Sequence, residues 1–139
     1  MVFRQPLSPK RIVDAAVRVA DAGGFEAISM RNVGKELGVE AMSLYHHVAN
    51  KDALLDAIVE WLFEQIELPG EHVPWREGTY TRASSARRVL VNHPWGLMLL
   101  ESRPNAGPAQ LRHHDSVIGC LRRGGFSIDL AAQTMSVID

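Results

Sequence analysis

Apolar residues recur at helical spacing along almost the whole chain, and nowhere do they alternate. Ile12, Val13, Ala16, Val19 and Ala20 fall at i, i+1, i+4, i+7 and i+8, one stripe of a 3.6-residue repeat. Leu54, Leu55, Ile58, Val59, Leu62 and Ile66 form a second long stripe. A half-buried sheet needs the period-two pattern that is missing here, so the spacing predicts an all-α fold. Ser8 followed by Pro9 offers an N-cap and a preset first residue, and Gly23-Gly24 a stop, which bounds the first helix at about Pro9 to Ala22. Asn50 is a good cap for the second, with Asp52 favourably placed in its first turn.

Breakers organise the rest. The run Pro69 to Pro74 reads as a linker, followed by a helix over about Trp75 to Asn92 and a short one from Pro94 to about Ser102. After a loop from Pro104 to Pro108, a helix runs to Gly124-Gly125 with Arg122 and Arg123 in its last turn, where cations favour the dipole. Ser127 caps a final helix with Ile128, Ala131, Ala132 and Met135 on one side. That helix meets no stop signal before Asp139, so the C-terminal part is expected to be incomplete.

Composition excludes several classes. With 46% hydrophobic and 22% charged residues, a chain of 139 can bury a real core. No apolar run approaches the roughly 20 residues that cross a bilayer, and Met1 to Arg11 lacks the apolar core of a secretory signal. A single cysteine, Cys120, excludes an intrachain disulfide and a Cys-based zinc site. The expectation is a reduced, cytoplasmic protein with no membrane partner. The net charge of −1 hides an asymmetry: residues 1–51 carry seven Lys and Arg against five Asp and Glu, and residues 52–139 carry eight against eleven. A basic first third hints at a polyanion partner at that end.

Between the two long stripes, Ser29 to Val48 holds two short helical stretches broken at Gly38. Two short helices joined by a glycine-containing turn are the signature of a helix-turn-helix. Val33 and Leu37 share a face of the first, Val39 is expected to enter the core, and Leu44 and Val48 to point inward from the second. The outward positions of that second helix are Ala41, Met42, Ser43, Tyr45, His46 and His47. Such a helix fits a major groove with its early residues at base edges.

These residues resemble the TetR-type bacterial transcriptional regulators. The match rests on Arg31, Leu37-Gly38-Val39, Leu44-Tyr45-His46-His47-Val48, and Asn50-Lys51 ahead of Leu54-Leu55-Asp56-Ala57, at fixed spacing and without a gap. It covers about Ser8 to Ile66. The remainder resembles the tetracycline-repressor-type C-terminal domain more loosely, through His93, Arg103-Pro104 and Gly125-Phe126-Ser127. The resemblance implies a three-helix DNA-binding head at residues 1–51, joined by a long helix to a ligand-binding and dimerisation body at residues 52–139. It implies a ligand-responsive repressor that binds a palindromic operator in double-stranded DNA as a homodimer and answers to an unidentified small-molecule inducer. Transferred residue by residue, Ala41, Met42 and Ser43 approach bases, Tyr45, His47 and Lys51 grip phosphates, and Arg31 and His46 do either. Glu40 matches the tetracycline-repressor subgroup and is expected to cap the helix start, facing away from DNA.

Two departures carry consequences. Gly34 stands where the family usually has Ala, which should weaken the first short helix by about 0.5–1 kcal/mol. Between Pro94 and Arg112 there is no histidine, where the tetracycline-repressor pocket has a metal ligand, so tetracycline–magnesium is not the expected inducer. Ala41 and Met42 offer bases apolar contact only, for instance with thymine methyls.

Ligand-pocket candidates are Trp61, Trp95, Met98 and His114, although core packing alone accounts for most large apolar residues. The pairs His46-His47 and His113-His114 are not read as metal sites, because adjacent helical residues point about 100° apart. Cys120 reads as a small buried hydrophobe, and His113-His114 as surface or pocket lining. No Glu-x-x-His, nucleophile elbow or phosphate loop is present, so neither enzyme nor cofactor is expected. The competing reading is a small-molecule-binding helical protein with a vestigial head.

Overall fold

The computed structural model describes residues 5–103 and 107–139; Pro104, Asn105 and Ala106 of the expected loop lie outside them. Among the described residues there are eight α-helices and no strand: α1 (Pro9–Gly23), α2 (Met30–Leu37), α3 (Ala41–Leu44), α4 (Lys51–Glu64), α5 (Trp75–Asn92), α6 (Trp95–Ser102), α7 (Pro108–Arg123) and α8 (Ile128–Ile138). A 3₁₀ turn, Phe25–Ala27, links α1 to α2. The caps sit where side-chain chemistry favours them. The hydroxyls of Ser8, Ser29 and Ser127 accept from the amides of Arg11, Asn32 and Leu130, and the Asn50 Oδ1 accepts from Ala53 at 2.8 Å. The α4 stripe stops short of Ile66, since the helix closes at Glu64.

The described residues divide into two compact units, 5–61 with 93–103, and 62–92 with 107–139. In the first, Ile12, Ala16, Ile28, Val33, Leu44, Leu54, Ile58 and Leu99 are fully buried. Burying one such aliphatic side chain stabilises by about 1.5–3 kcal/mol. Because Leu54, Leu55 and Ile58 continue this core, most of α4 belongs to the same unit as α1–α3, and so does α6, which packs against the 3₁₀ turn. The packing partition therefore runs past residue 51. Val19 is only half-buried, its expected place on the stripe taken by Ala15 and Val17.

Two contacts fasten α6 within this unit. The buried Trp95 donates its indole N–H to Asp21 Oδ1 at 2.8 Å, and His93 Nδ1 meets the same oxygen at 2.7 Å. At the other end, Arg103 Nε donates to Asp56 at 2.6 Å and its terminal nitrogens reach Asp52. These carboxylates raise the guanidinium's affinity for its proton.

In the second unit, Val117 and Leu121 of α7 meet Ala131 and Met135 of α8, with Trp75 and Phe126 packed against them edge to face at 4.8 Å. Cys120 is buried, as its reading as a small hydrophobe requires. A Cβ added at Gly78 of α5 would lie 2.8 Å from its sulfur, so that glycine is what lets α5 and α7 approach.

Candidate nucleic-acid interface

The helix-turn-helix is built by backbone as much as by side chains. Gly38 ends α2 at φ 69°, ψ 33°, a left-handed conformation that suits glycine. The Val39 amide then returns to the Gly34 carbonyl at 2.9 Å. A Cβ on Gly34 would lie 2.8 Å from the Val39 carbonyl oxygen and 3.3 Å from the Ala41 nitrogen. Gly34 is thus less a weak point in α2 than the contact that lets the turn fold back onto it. Val39 stays half-buried and does not enter the core, because it sits at the edge of an open depression lined by Lys35, Gly38, Val39, Glu40 and Ser43.

The second helix is short. After Ala41–Leu44 the backbone tightens, with the His47 amide bonding to Leu44 at i−3 and the Val48 amide to Leu44 at i−4. Glu40 occupies the N-cap position but makes no side-chain capping bond, contrary to expectation. Its backbone is extended, and the residue lines the depression together with Ser43.

Met42, Tyr45, His46, His47, Arg31 and Lys51 are exposed, while Ala41 and Ser43 are half-buried. Ser43 is less accessible than its outward position suggested, because it lines the depression. Met42 is 75% exposed and Tyr45 45%, an unusual outlay of apolar surface for a four-residue helix and its following turn.

Among the described residues the head's cations sort into two groups. Lys10 pairs with Asp14 at 2.9 Å, Arg18 pairs with Glu36 at 2.9 Å, and Arg11 donates to the carbonyls of Gln5 and Pro6. Arg31, Lys35 and Lys51 make no ion pair among the described residues. All three fall within residues 29–51. Lys35 was not among the residues singled out from sequence, although an exposed lysine opposite Val33 on the first helix of the motif was there to be read.

The ligand-pocket candidates divide between the units: Trp61, Trp95 and Met98 belong to the first and His114 to the second. Trp61 packs edge-on against His93 at 5.1 Å, and Met98 is exposed. Trp95 already spends its N–H on Asp21. In the second unit the more notable residue is His113. It is 1% exposed, so it is neither surface nor rim. Arg82 of α5, also buried, donates its Nε–H to His113 Nε2 at 2.9 Å, and its other arm pairs with Asp139. Burial first, then the charge of Arg82 and the neighbouring His114, push the His113 pKa down to about 4. Phe63 covers the imidazole at 5.2 Å. The signal for His113 was its place on the α7 stripe with Ala109, Val117, Cys120 and Leu121.

Among the described residues no group of three His, Cys, Asp or Glu side chains could hold a metal ion, and no helix is long and apolar enough to cross a membrane.

An exposed helix-turn-helix on one helical unit, followed by a second helical unit with a buried polar cluster, defines a regulator-type architecture. Residues 12–58 match the family model of bacterial regulatory proteins of the tetR family, and residues 68–139 match the tetracyclin repressor-like C-terminal domain. The chain belongs to the TetR family. It is 39% identical over 121 residues to an HTH-type transcriptional regulator of Saccharopolyspora erythraea, covering 86% of this chain and 51% of that protein. It is 34% identical over 135 residues to the HTH-type transcriptional repressor DrrR1 of Streptomyces coeruleorubidus, covering 96% of this chain and 50% of the relative. The structure of the Streptomyces coelicolor TetR family protein ActR in complex with actinorhodin superposes with a TM-score of 0.86 at 32% identity, covering 96% of this chain and 63% of ActR. The chain thus spans about half the length of these curated relatives.

Proposed function

We propose that this chain is the DNA-binding head and part of the ligand-binding body of a ligand-responsive repressor that acts as a homodimer on a palindromic operator in the cytoplasm. One observation carries the reading: among the described residues, Arg31 and Lys35 of the helix-turn-helix and Lys51 just after it make no ion pair and no side-chain hydrogen bond, on the segment that also exposes Met42 and Tyr45. Cations held by neighbouring carboxylates gain little from phosphate, whereas unpaired ones release counterions on binding. Lys51, Tyr45 and His47 position the head on phosphates, Arg31 and His46 reach phosphate or base, and Ala41, Met42 and Ser43 read the groove. The names of the relatives, one a repressor and one holding a small molecule, support the same reading. A ligand in the body acts by binding one arrangement of the two heads better than the other, which shifts the population away from DNA. Of the pocket candidates, His114 is retained as a ligand-facing residue of the second unit, and Trp61, Trp95 and Met98 as candidates within the first. No cofactor and no catalytic step is assigned.

The test is fluorescence-anisotropy binding to a duplex selected from random DNA and to a scrambled control, over a salt series. Lys51→Ala should weaken both duplexes alike and lower the salt slope by about one unit. Ser43→Ala should cost about 1 kcal/mol on the selected duplex alone, with the slope unchanged. Parent-like binding by both variants would remove the interface from α3 and its flank. Ligand binding without any duplex binding would instead favour a small-molecule binder with a vestigial head.

A further inference from the structure

The chemistry of the body's ligand can be read from four side chains on two packed helices. Thr79 and Arg82 stand at i, i+3 on α5, and Gln110 and His113 stand at i, i+3 on α7, so each pair shares a face. The Arg82–His113 bond brings those two faces together. An arginine Nε always carries hydrogen, so His113 Nε2 is the acceptor in this bond. A neutral imidazole with a bare Nε2 has its proton on Nδ1. That Nδ1–H is a buried donor with no hydrogen-bond partner among the described residues, and the Thr79 hydroxyl and Gln110 Oε1 are buried in the same condition. Buried polar groups are nearly always satisfied, and three exceptions on two helices joined by one buried Arg–His bond are not what a packing core requires.

We propose that the α5–α7 seam binds the anionic oxygen of a small organic acid, a carboxylate or an ionised enol or phenol, through Arg82 and His113. The inference rests on the reading of this unit as ligand-binding and names the ligand's class. Arg82 supplies the forked charge that matches such an oxygen, and His113 Nδ1–H supplies a neutral donor beside it. Thr79 and Gln110 offer a hydroxyl and an amide for a second polar group on the same molecule. Asp139 is the internal stand-in. Its carboxylate already pairs with the buried Arg82, so a ligand's acid group would take the place of that carboxylate on the guanidinium. His114 Nε2, 4.0 Å from the other Asp139 oxygen, can keep the displaced carboxylate company.

Calorimetric titration of the chain without DNA tests the proposal, with 2-naphthoate as probe and the uncharged 2-naphthamide as its control. Naphthoate should bind at least about ten-fold more tightly than the amide, the ratio expected of a charge-assisted bond over a neutral one. Asp139→Asn, which removes the competitor and leaves the helices intact, should tighten naphthoate several-fold. Arg82→Gln should abolish the preference for the acid. If that variant fails to fold, Asp139→Asn and the imidazole nitrogen resonances of His113, whose Nδ1 should shift on adding naphthoate, decide. Equal affinity for acid and amide, no binding of either, or a preference that survives in folded Arg82→Gln would overturn the proposal. Naphthoate that binds as described yet leaves duplex affinity unchanged would support the site and count against the repressor reading instead.

Discussion

Gly34 is the residue at which the head's geometry is most tightly constrained. Helix propensity alone says that Gly34→Ala should gain about 0.5–1 kcal/mol. The Val39 carbonyl 2.8 Å from the added carbon says the gain is not realised, because the clash is with backbone and the turn itself must yield. Chemical denaturation should therefore find Gly34→Ala no more stable than the parent, and Gly34→Leu without a folded head. The bias toward glycine was visible in the sequence only as a departure from Ala, because the cause lies across the turn.

His113 shows the same limit from another side. Its folded pKa near 4 lies below the ordinary value of 6.5, so between these values the unfolded chain takes up a proton that the folded chain refuses. Stability from this group is present above about pH 6.5 and is lost as pH falls toward 4. Urea titrations at pH 7 and pH 5 should show the parent losing about 1–3 kcal/mol, and His113→Gln, which keeps an acceptor for Arg82, losing less. The α7 stripe separates the buried His113 from the half-buried His114 in the sequence, but the Arg82 partner on α5 that depresses its pKa lies 31 residues away and was not legible there.

At the scale of elements the sequence was most informative where capping chemistry is local. Ser8, Ser127 and Asn50 all accept the amide three residues on, as their types and positions required. Asn50→Ala should lower thermal stability by about 1 kcal/mol through the first turn of α4, measured by circular dichroism. Asn50→Asp should keep the cap. Glu40 failed as a cap because a longer carboxylate at that position does not turn back onto the amides of so short a helix. The brevity of α3 was equally hidden: Tyr45, His46 and His47 continue its outward pattern, but the backbone there has already tightened into i−3 bonds.

Over the whole molecule, periodicity and breakers disclosed the all-helical architecture and the helix order, since each helix carries its own stripe and its own stops. What they could not disclose was which stripe meets which. The α4 stripe reads as one surface from Leu54 to Leu62, yet Leu54 and Ile58 close the first unit while Leu62 belongs to the second. Likewise the excess of positive charge in residues 1–51 was countable, but which cations are held by carboxylates depends on contacts between helices. Arg18 meets Glu36 across 18 residues, and Arg103 meets Asp52 across 51.

The sulfur beside Gly78 makes the second unit its own clock. Cys120 is the chain's sole thiol and is shut in by Gly78 and the Trp75 carbonyl, 3.9 Å away. A disulfide reagent such as dithionitrobenzoate can reach so buried a thiol only through an opening of the unit, and separation of α5 from α7 is the opening that uncovers the sulfur on the Gly78 side. Labelling of the native chain should be far slower than in urea, and Gly78→Ala, which wedges a methyl group against the sulfur, should speed it while leaving the cysteine itself in place. A ligand that bridges the same two helices should slow it again, which turns an inert cysteine into a gauge of occupancy that needs neither DNA nor a chromophore on the ligand.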